Sequence, residues 1–340
     1  MFIPQLTLLL AAFGQPHEAS AQHAYQATQV HMGVPFKIVL HAPSEAAAKR
    51  GFDAAFRRIE RLDNILSDYD PESELSRLNR TAPSEHPVSV GSDLWAVLHY
   101  AQSLSKQSDG AFDVTVGPLS RLWRRARRQR ELPSSEMLDE ARAATGYAFL
   151  RLDEERQTAQ LLQPNMRLDL GGIAKGYAAD EALAELRAAG LSSALVDASG
   201  DMAFGDAPPD KPGWQVGIAP LNADDPPSRF LHLSNCGIAT SGDAWQYVEI
   251  DGQRYSHIVD PRTGLGLTDR SSVTVIAADG ISADALASAV SVLGPRAGIA
   301  LIDAIDSAAA LIVRAPHGDV ETFESRRFEQ FLAGQPRRAE

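Results

Sequence analysis

The run Asp169-Leu170-Gly171-Gly172-Ile173-Ala174-Lys175-Gly176 has the composition of a ligand-binding turn. Paired glycines let a backbone come close to a bound group. A helix starting behind them aims free N–H groups and the positive end of its dipole at an anion. Bare carbonyls in such a turn can also hold a hard cation. The run matches neither the dinucleotide fingerprint nor the phosphate loop ending in Gly-Lys-Ser/Thr. Taken alone it reads as a tight strand-to-helix packing turn.

Asp284 and Ser288 are four residues apart, so both oxygens fall on one helix face. A carboxylate and a hydroxyl, completed by carbonyls and waters, suit Mg²⁺. An acidic residue in a first helical turn is also explained by the helix dipole alone, with Ser282 as the expected N-cap. The segments Ile238-Ala239-Thr240-Ser241-Gly242-Asp243 and Ser256-His257-Ile258-Val259-Asp260-Pro261-Arg262-Thr263-Gly264 gather polar groups near turns, where loops hold function. A histidine there can serve as a general base near neutral pH, and an arginine can hold phosphate oxygens. Tyr69 and Phe112 could flank a flat ring; as isolated aromatics they fit a core equally well.

The order of these motifs carries more than any one of them. Met32-Gly33, Ser67-Asp68-Tyr69, Ala111-Phe112-Asp113-Val114-Thr115-Val116-Gly117-Pro118-Leu119, the Asp169 run extended through Asp180, Thr240 to Asp243, His257 to Gly264 and Ala283 to Ala289 follow one another. Together they closely resemble the FAD:protein FMN transferase family, known as ApbE, over Gln26 to Val313. The resemblance implies a two-lobed α+β fold with mixed and antiparallel sheets, flanking helices and a flavin site in the cleft. It implies a single catalytic domain over residues 24–330, and Mg²⁺-dependent transfer of FMN from FAD to a threonine or serine hydroxyl of an acceptor flavoprotein, with release of AMP. By position it implies Met32, Tyr69, Ala111, Phe112, Asp113, Asp169, Lys175 and Ile258 as flavin-nucleotide contacts. Gly172 through its carbonyl, Asp284 and Ser288 are implied as the metal site, and His257 as the group that activates the acceptor hydroxyl. An FAD pyrophosphatase giving FMN and AMP, or a non-catalytic FAD carrier, is the alternative. Three positions depart from the family pattern: Val34 and Ser288 stand where threonine is usual, and Ser199-Gly200-Asp201 where Gly-Gly-Asp is usual. Ser288 keeps a hydroxyl oxygen.

These residues need a scaffold. Two strands are expected over Ala24–Ala42 with a bend at Gly33-Val34-Pro35. Ser44 is placed to cap a helix with Phe52, Ala55, Phe56, Ile59, Leu62 and Leu66 on one face. A second helix follows Ser92. The basic run Arg124 to Arg130 reads as a solvated helix face. Met166–Leu170 is expected as a strand, Ala174–Ala189 as a helix ended by Gly190, and Ala194–Val196 as the next strand. Asp251-Gly252 marks a hairpin. Ser272–Ala277, helices over Ser282–Val292 and Ala297–Ile305, and a strand Ala309–Val313 close the set. Hairpins mixed with helices predict an α+β class.

A net charge of −12 opposes duplex nucleic-acid binding, which needs basic surface. Cys236 is the sole cysteine, so no internal disulfide forms. The apolar run Leu6–Phe13 followed by Ala19-Ser20-Ala21 predicts a signal peptide over residues 1–21 and an exported, periplasmic chain, although a basic start is missing. No later segment is expected to span a membrane.

Overall fold

The computed structural model describes residues 22–218, 221, 225–227, 229–242, 246–316 and 318–333; the expected signal segment and Asp243 lie outside them. Eight strands form the main sheet: His23–His31, Val34–Ala42, Ala194–Ala198, Asp201–Phe204, Cys236–Gly242, Ser271–Ala277, Ala309–Arg314 and Glu321–Glu324. Each lies antiparallel beside its predecessor in the chain. The helices and small sheets are therefore excursions from one meander. The α+β class expected from the hairpin pattern is what forms.

Alternation along the strands gives the sheet two apolar faces. Phe36, Ile38, Leu40, Val196, Val273 and Val275 join the larger core. Val39, Leu195, Met202, Phe204, Ile276 and Leu311 face the other way, under Trp214, Leu231, Leu233 and Phe328. The larger core is covered by α1 (Glu45–Leu66), with α2 (Glu74–Asn79) and α3 (Ser92–Gln107) beyond it. Next along the chain come α4 (Gly117–Gln129) and α5 (Ser135–Ala143), and a small sheet of Val88–Ser89, Leu150–Asp153 and Thr158–Leu161. α6 (Ala174–Ala188) then packs on α1, and α7 (Gly280–Asp303) packs on α6 and on the strands Cys236–Gly242 and Ser271–Ala277.

Ser44 caps α1 as its position suggests, accepting from the Ala47 N–H, and the expected apolar face is buried. Other details differ. The first hairpin turns at Met32-Gly33, both at positive φ, and Val34 already belongs to the strand. Such a two-residue turn matches the twist of its strands. Met166–Leu170 forms no strand. Leu168 is instead bracketed by the Asn79 side-chain amide, which accepts from its N–H at 2.7 Å and donates to its carbonyl at 3.1 Å. Asp279, not Ser282, caps α7 and accepts from the Ser282 N–H.

Contrary to the expectation that no later segment could span a membrane, α7 is long and apolar enough to cross one by length and composition. It is broken at Gly294, before Pro295, as the two predicted helices imply, and it buries Asp284 against α6. Those are properties of a core helix.

Candidate functional site

The decisive contact is the crossing of α6 and α7. A Cβ on Gly176 would lie 2.1 Å from the Gly280 carbonyl oxygen, and one on Gly280 would lie 2.7 Å from that of Gly176. Only glycines allow this approach. It brings the start of α6 against the first turns of α7. The Gly176 N–H donates to Asp284 Oδ2 at 3.1 Å. One turn earlier, a Cβ on Gly172 would sit 2.9 Å from Ser288 Oγ and 3.6 Å from Phe112 Cε2. Gly172, Asp284, Ser288 and Phe112 thus converge from three distant stretches of chain.

Asp284 is buried, and desolvation followed by the charge of Asp201 pushes its pKa up to about 7. Lys175 opposes this. Its ammonium pairs with Asp201. Burial acts against that ammonium, but the Asp201 and Asp284 carboxylates outweigh it and raise the lysine above its usual range. Asp201 enters the sequence reading only as part of a departure from the family pattern. The signal available was its place directly after the turn Ser199-Gly200, both at positive φ. Ser199 Oγ there donates to the Pro35 carbonyl at 3.2 Å.

Among the described residues, no group of three or more His, Cys, Asp or Glu side chains is arranged to hold a metal. The Gly172 carbonyl, the Asp284 carboxylate and the Ser288 hydroxyl are all hard oxygen donors. That set fits Mg²⁺, which takes few protein ligands, and does not fit zinc.

The segment after Asp169 is fixed by its own side chain. Asp169 Oδ1 accepts from the Gly171 N–H at 2.9 Å, and its N–H donates to the Val114 carbonyl at 2.8 Å. This places it beside the stretch containing Ala111, Phe112 and Asp113, all three of which are buried. The Asp113 carboxylate accepts from the Thr115 N–H, the Thr115 hydroxyl and the Tyr147 N–H, at 2.8, 2.7 and 2.7 Å. Burial raises its pKa against those bonds. In this structure Asp113 scaffolds the turn. Met32 sits in the left-handed region at φ 50°, its N–H donating to Asp63 Oδ2 at 2.7 Å. Tyr69 is 76% exposed. The Arg124 guanidinium lies 4.5 Å from its ring centroid. Arg124 is therefore no member of a solvated helix face, although Arg125 and Arg128 beside it are exposed.

His257 follows the hairpin of Tyr247–Ile250 and Gln253–Ser256 and is exposed. Its Nδ1 lies 3.1 Å from the Gln246 carbonyl oxygen. Ile258 donates its N–H to Ser256 Oγ at 3.1 Å. The loop is anchored on α4: Trp123 Nε1 donates to the Gly264 carbonyl at 2.8 Å, and the Trp123 and Tyr255 rings are 5.1 Å apart. Arg262 is clamped by both Asp260 oxygens. Thr240 pairs its hydroxyl with that of Thr274 across the sheet. A cavity of about 560 Å³ is lined by Gly110, Asp113, Arg142, Tyr147, Pro261 and Arg262.

The fold matches that of solved transferases. The solved structure of the flavin transferase ApbE from Vibrio cholerae aligns with a TM-score of 0.82 and 30% identity, covering 92% of this chain and 100% of that one. The ApbE protein from Thermotoga maritima aligns with a TM-score of 0.80 and 30% identity over 91% of this chain and 99% of that one. The chain belongs to the ApbE family, whose model matches residues 32–312. A Vibrio cholerae relative named FAD:protein FMN transferase is 33% identical over 336 residues, 96% of each chain.

Proposed function

We propose that the chain is an Mg²⁺-dependent FAD:protein FMN transferase that esterifies a threonine or serine hydroxyl of an acceptor flavoprotein and releases AMP. The observation that carries this reading is the convergence of Gly172, Asp284 and Ser288 at the α6–α7 crossing, beside Phe112. Family membership over nearly the whole chain supports it.

In this reading the acceptor oxygen attacks the FMN-side phosphorus, and the bond from that phosphorus to the oxygen of AMP breaks. Asp169, Lys175, Ile258 and the Ala111–Asp113 turn position the nucleotide, with Tyr69 and Met32 at its rim. A proton on His257 Nδ1, directed at the Gln246 carbonyl, leaves the lone pair on Nε2. Nε2 then accepts the proton of the acceptor hydroxyl. A bound Mg²⁺ would neutralise charge on the pyrophosphate oxygens. The Leu6–Phe13 run and the small residues before Gln22 support an exported enzyme.

The test is to incubate the chain with FAD and Mg²⁺, with and without an acceptor domain carrying a threonine. AMP formed only with acceptor, together with covalent flavin on that domain, is the expected result. AMP without acceptor overturns the reading in favour of a hydrolase. FAD bound with no AMP in either case makes the chain a carrier.

A further inference from the structure

Arg124 stands in a run whose composition assigns it to solvent, yet its side chain is only 21% exposed. One guanidinium nitrogen donates to Asp68 Oδ2 at 2.5 Å and another to Asp169 Oδ2 at 2.8 Å. The carbon between them lies 4.5 Å from the Tyr69 ring centroid. One cation therefore holds two carboxylates and covers one face of an aromatic ring. The ring is nonetheless 76% exposed, so its other face is open.

The three partners have separate consequences. Asp169 uses its remaining oxygen on the Gly171 N–H, so the same carboxylate sets the turn leading to Gly172. Asp68 is the residue before Tyr69, so fixing it fixes the backbone that presents the ring. Without the arginine these two carboxylates repel each other: after burial, the charge of Asp169 is the next influence raising the Asp68 pKa. The stacked cation draws on the negative face of the ring. An open, electron-polarised aromatic face on a fixed backbone suits a planar heteroaromatic ring.

We propose that Arg124 is a positioning residue of the flavin-nucleotide site: it backs Tyr69 and holds Asp169, so that the outer face of Tyr69 is a fixed stacking platform for a planar ring of the substrate. This inference rests on the reading of the chain as an enzyme acting on FAD. A lysine cannot replace the function fully, because a point charge does not bridge two carboxylates and lie flat on a ring.

The experiment compares the parent, Arg124→Met and Arg124→Lys in three measurements: FAD titration followed by the visible circular dichroism of bound flavin, steady-state kinetics in FAD, and far-ultraviolet circular dichroism for folding. Arg124→Met is expected to raise Kd and KM for FAD about tenfold, with kcat changed less than about threefold, and to weaken the visible dichroism. Arg124→Lys is expected to fall between the two. A folded Arg124→Met that binds FAD within about twofold of the parent, with the same visible dichroism, overturns the inference. If Arg124→Met does not fold, Arg124→Lys decides: an unchanged KM and visible dichroism overturn the inference, and a raised KM with weakened dichroism upholds it. A parent that binds no FAD overturns the functional reading, and this inference falls with it. A parent that binds FAD while the variants bind equally overturns this inference alone.

Discussion

Replacing Gly176 by alanine tests whether the helix crossing builds the site. The new methyl would meet the Gly280 carbonyl oxygen at 2.1 Å, its carbon at 2.6 Å and the Asp284 Cβ at 2.9 Å, where ordinary contacts lie at 3.4–4 Å. Two of those atoms are backbone, so no side chain can swing aside. The helices must part by more than about 1 Å, at a cost of about 3 kcal/mol, the upper end of overpacking penalties. Parting them also draws the Gly176 N–H away from Asp284 and Gly172 away from Ser288. Loss of such support around a metal donor typically weakens metal binding about tenfold or more. Gly190→Ala is the control. It lies at φ +77° with nothing within 4 Å of its added Cβ. Its cost is backbone strain alone, about 1 kcal/mol. Urea unfolding gives the stabilities, and AMP release against Mg²⁺ concentration gives the metal requirement. Equal stabilities for the two variants, or an unchanged Mg²⁺ midpoint in Gly176→Ala, would refute the reasoning.

Asp284→Ala removes the only carboxylate proposed as a metal donor, and AMP release is expected to vanish; full activity at limiting Mg²⁺ contradicts the assignment. His257→Ala is expected to bind FAD normally while transfer to the acceptor is lost, so weakened FAD binding in a titration would make His257 a nucleotide contact. Burial, aided by the charges of Asp279 and Glu181, pushes the Asp180 pKa from 3.8 to about 7 against the Gly280 and Ile281 N–H groups that it accepts. Between about pH 4 and 7 the folded chain keeps a proton that the unfolded chain has released, so stability falls by about 4 kcal/mol as pH rises through that window and then levels off. Asp180→Asn, which titrates nothing, should be less stable throughout but flatter; urea midpoints at pH 5, 6, 7 and 8 with the same slope in both chains would disprove this. Trp123→Phe keeps an aromatic ring but loses the bond to Gly264, costing about 1 kcal/mol, and adds a cavity cost where the indole was buried. Faster amide exchange at Gly264 and Leu267 is the expected sign, and unchanged exchange counts against the anchoring role.

Locally encoded features were legible. The apolar spacing of α1, the cap at Ser44, the turn at Asp251-Gly252 and the break at Gly294 each depend on neighbours within a few residues. What escaped depends on contacts made across long stretches of chain. Leu168 resembles a strand residue, but its partner is the side chain of Asn79, 89 residues earlier. Arg124 resembles its exposed neighbours until Asp68 and Asp169 are brought to it, 56 and 45 residues away. Asp201 gains significance only beside Lys175 and Asp284. Of the proposed metal donors, the i,i+4 spacing of Asp284 and Ser288 was visible, whereas their meeting with Gly172 required two glycines on different helices to touch.

The bond from Gly176 to Asp284 spans 108 residues, and four strands of the main sheet lie between its ends. Three of those strands, Asp201–Phe204, Cys236–Gly242 and Ser271–Ala277, form surface on which α7 settles. During synthesis, a chain that has emerged only as far as Ala277 has its glycine turn and its histidine loop but lacks Asp284 and Ser288, the carboxylate and hydroxyl proposed as metal donors. Assembly therefore imposes a temporal order, in which competence arrives with one of the last elements to dock. On the proposed metal assignment, forms without a docked α7 hold no complete Mg²⁺ site, and turnover becomes a readout of completed folding.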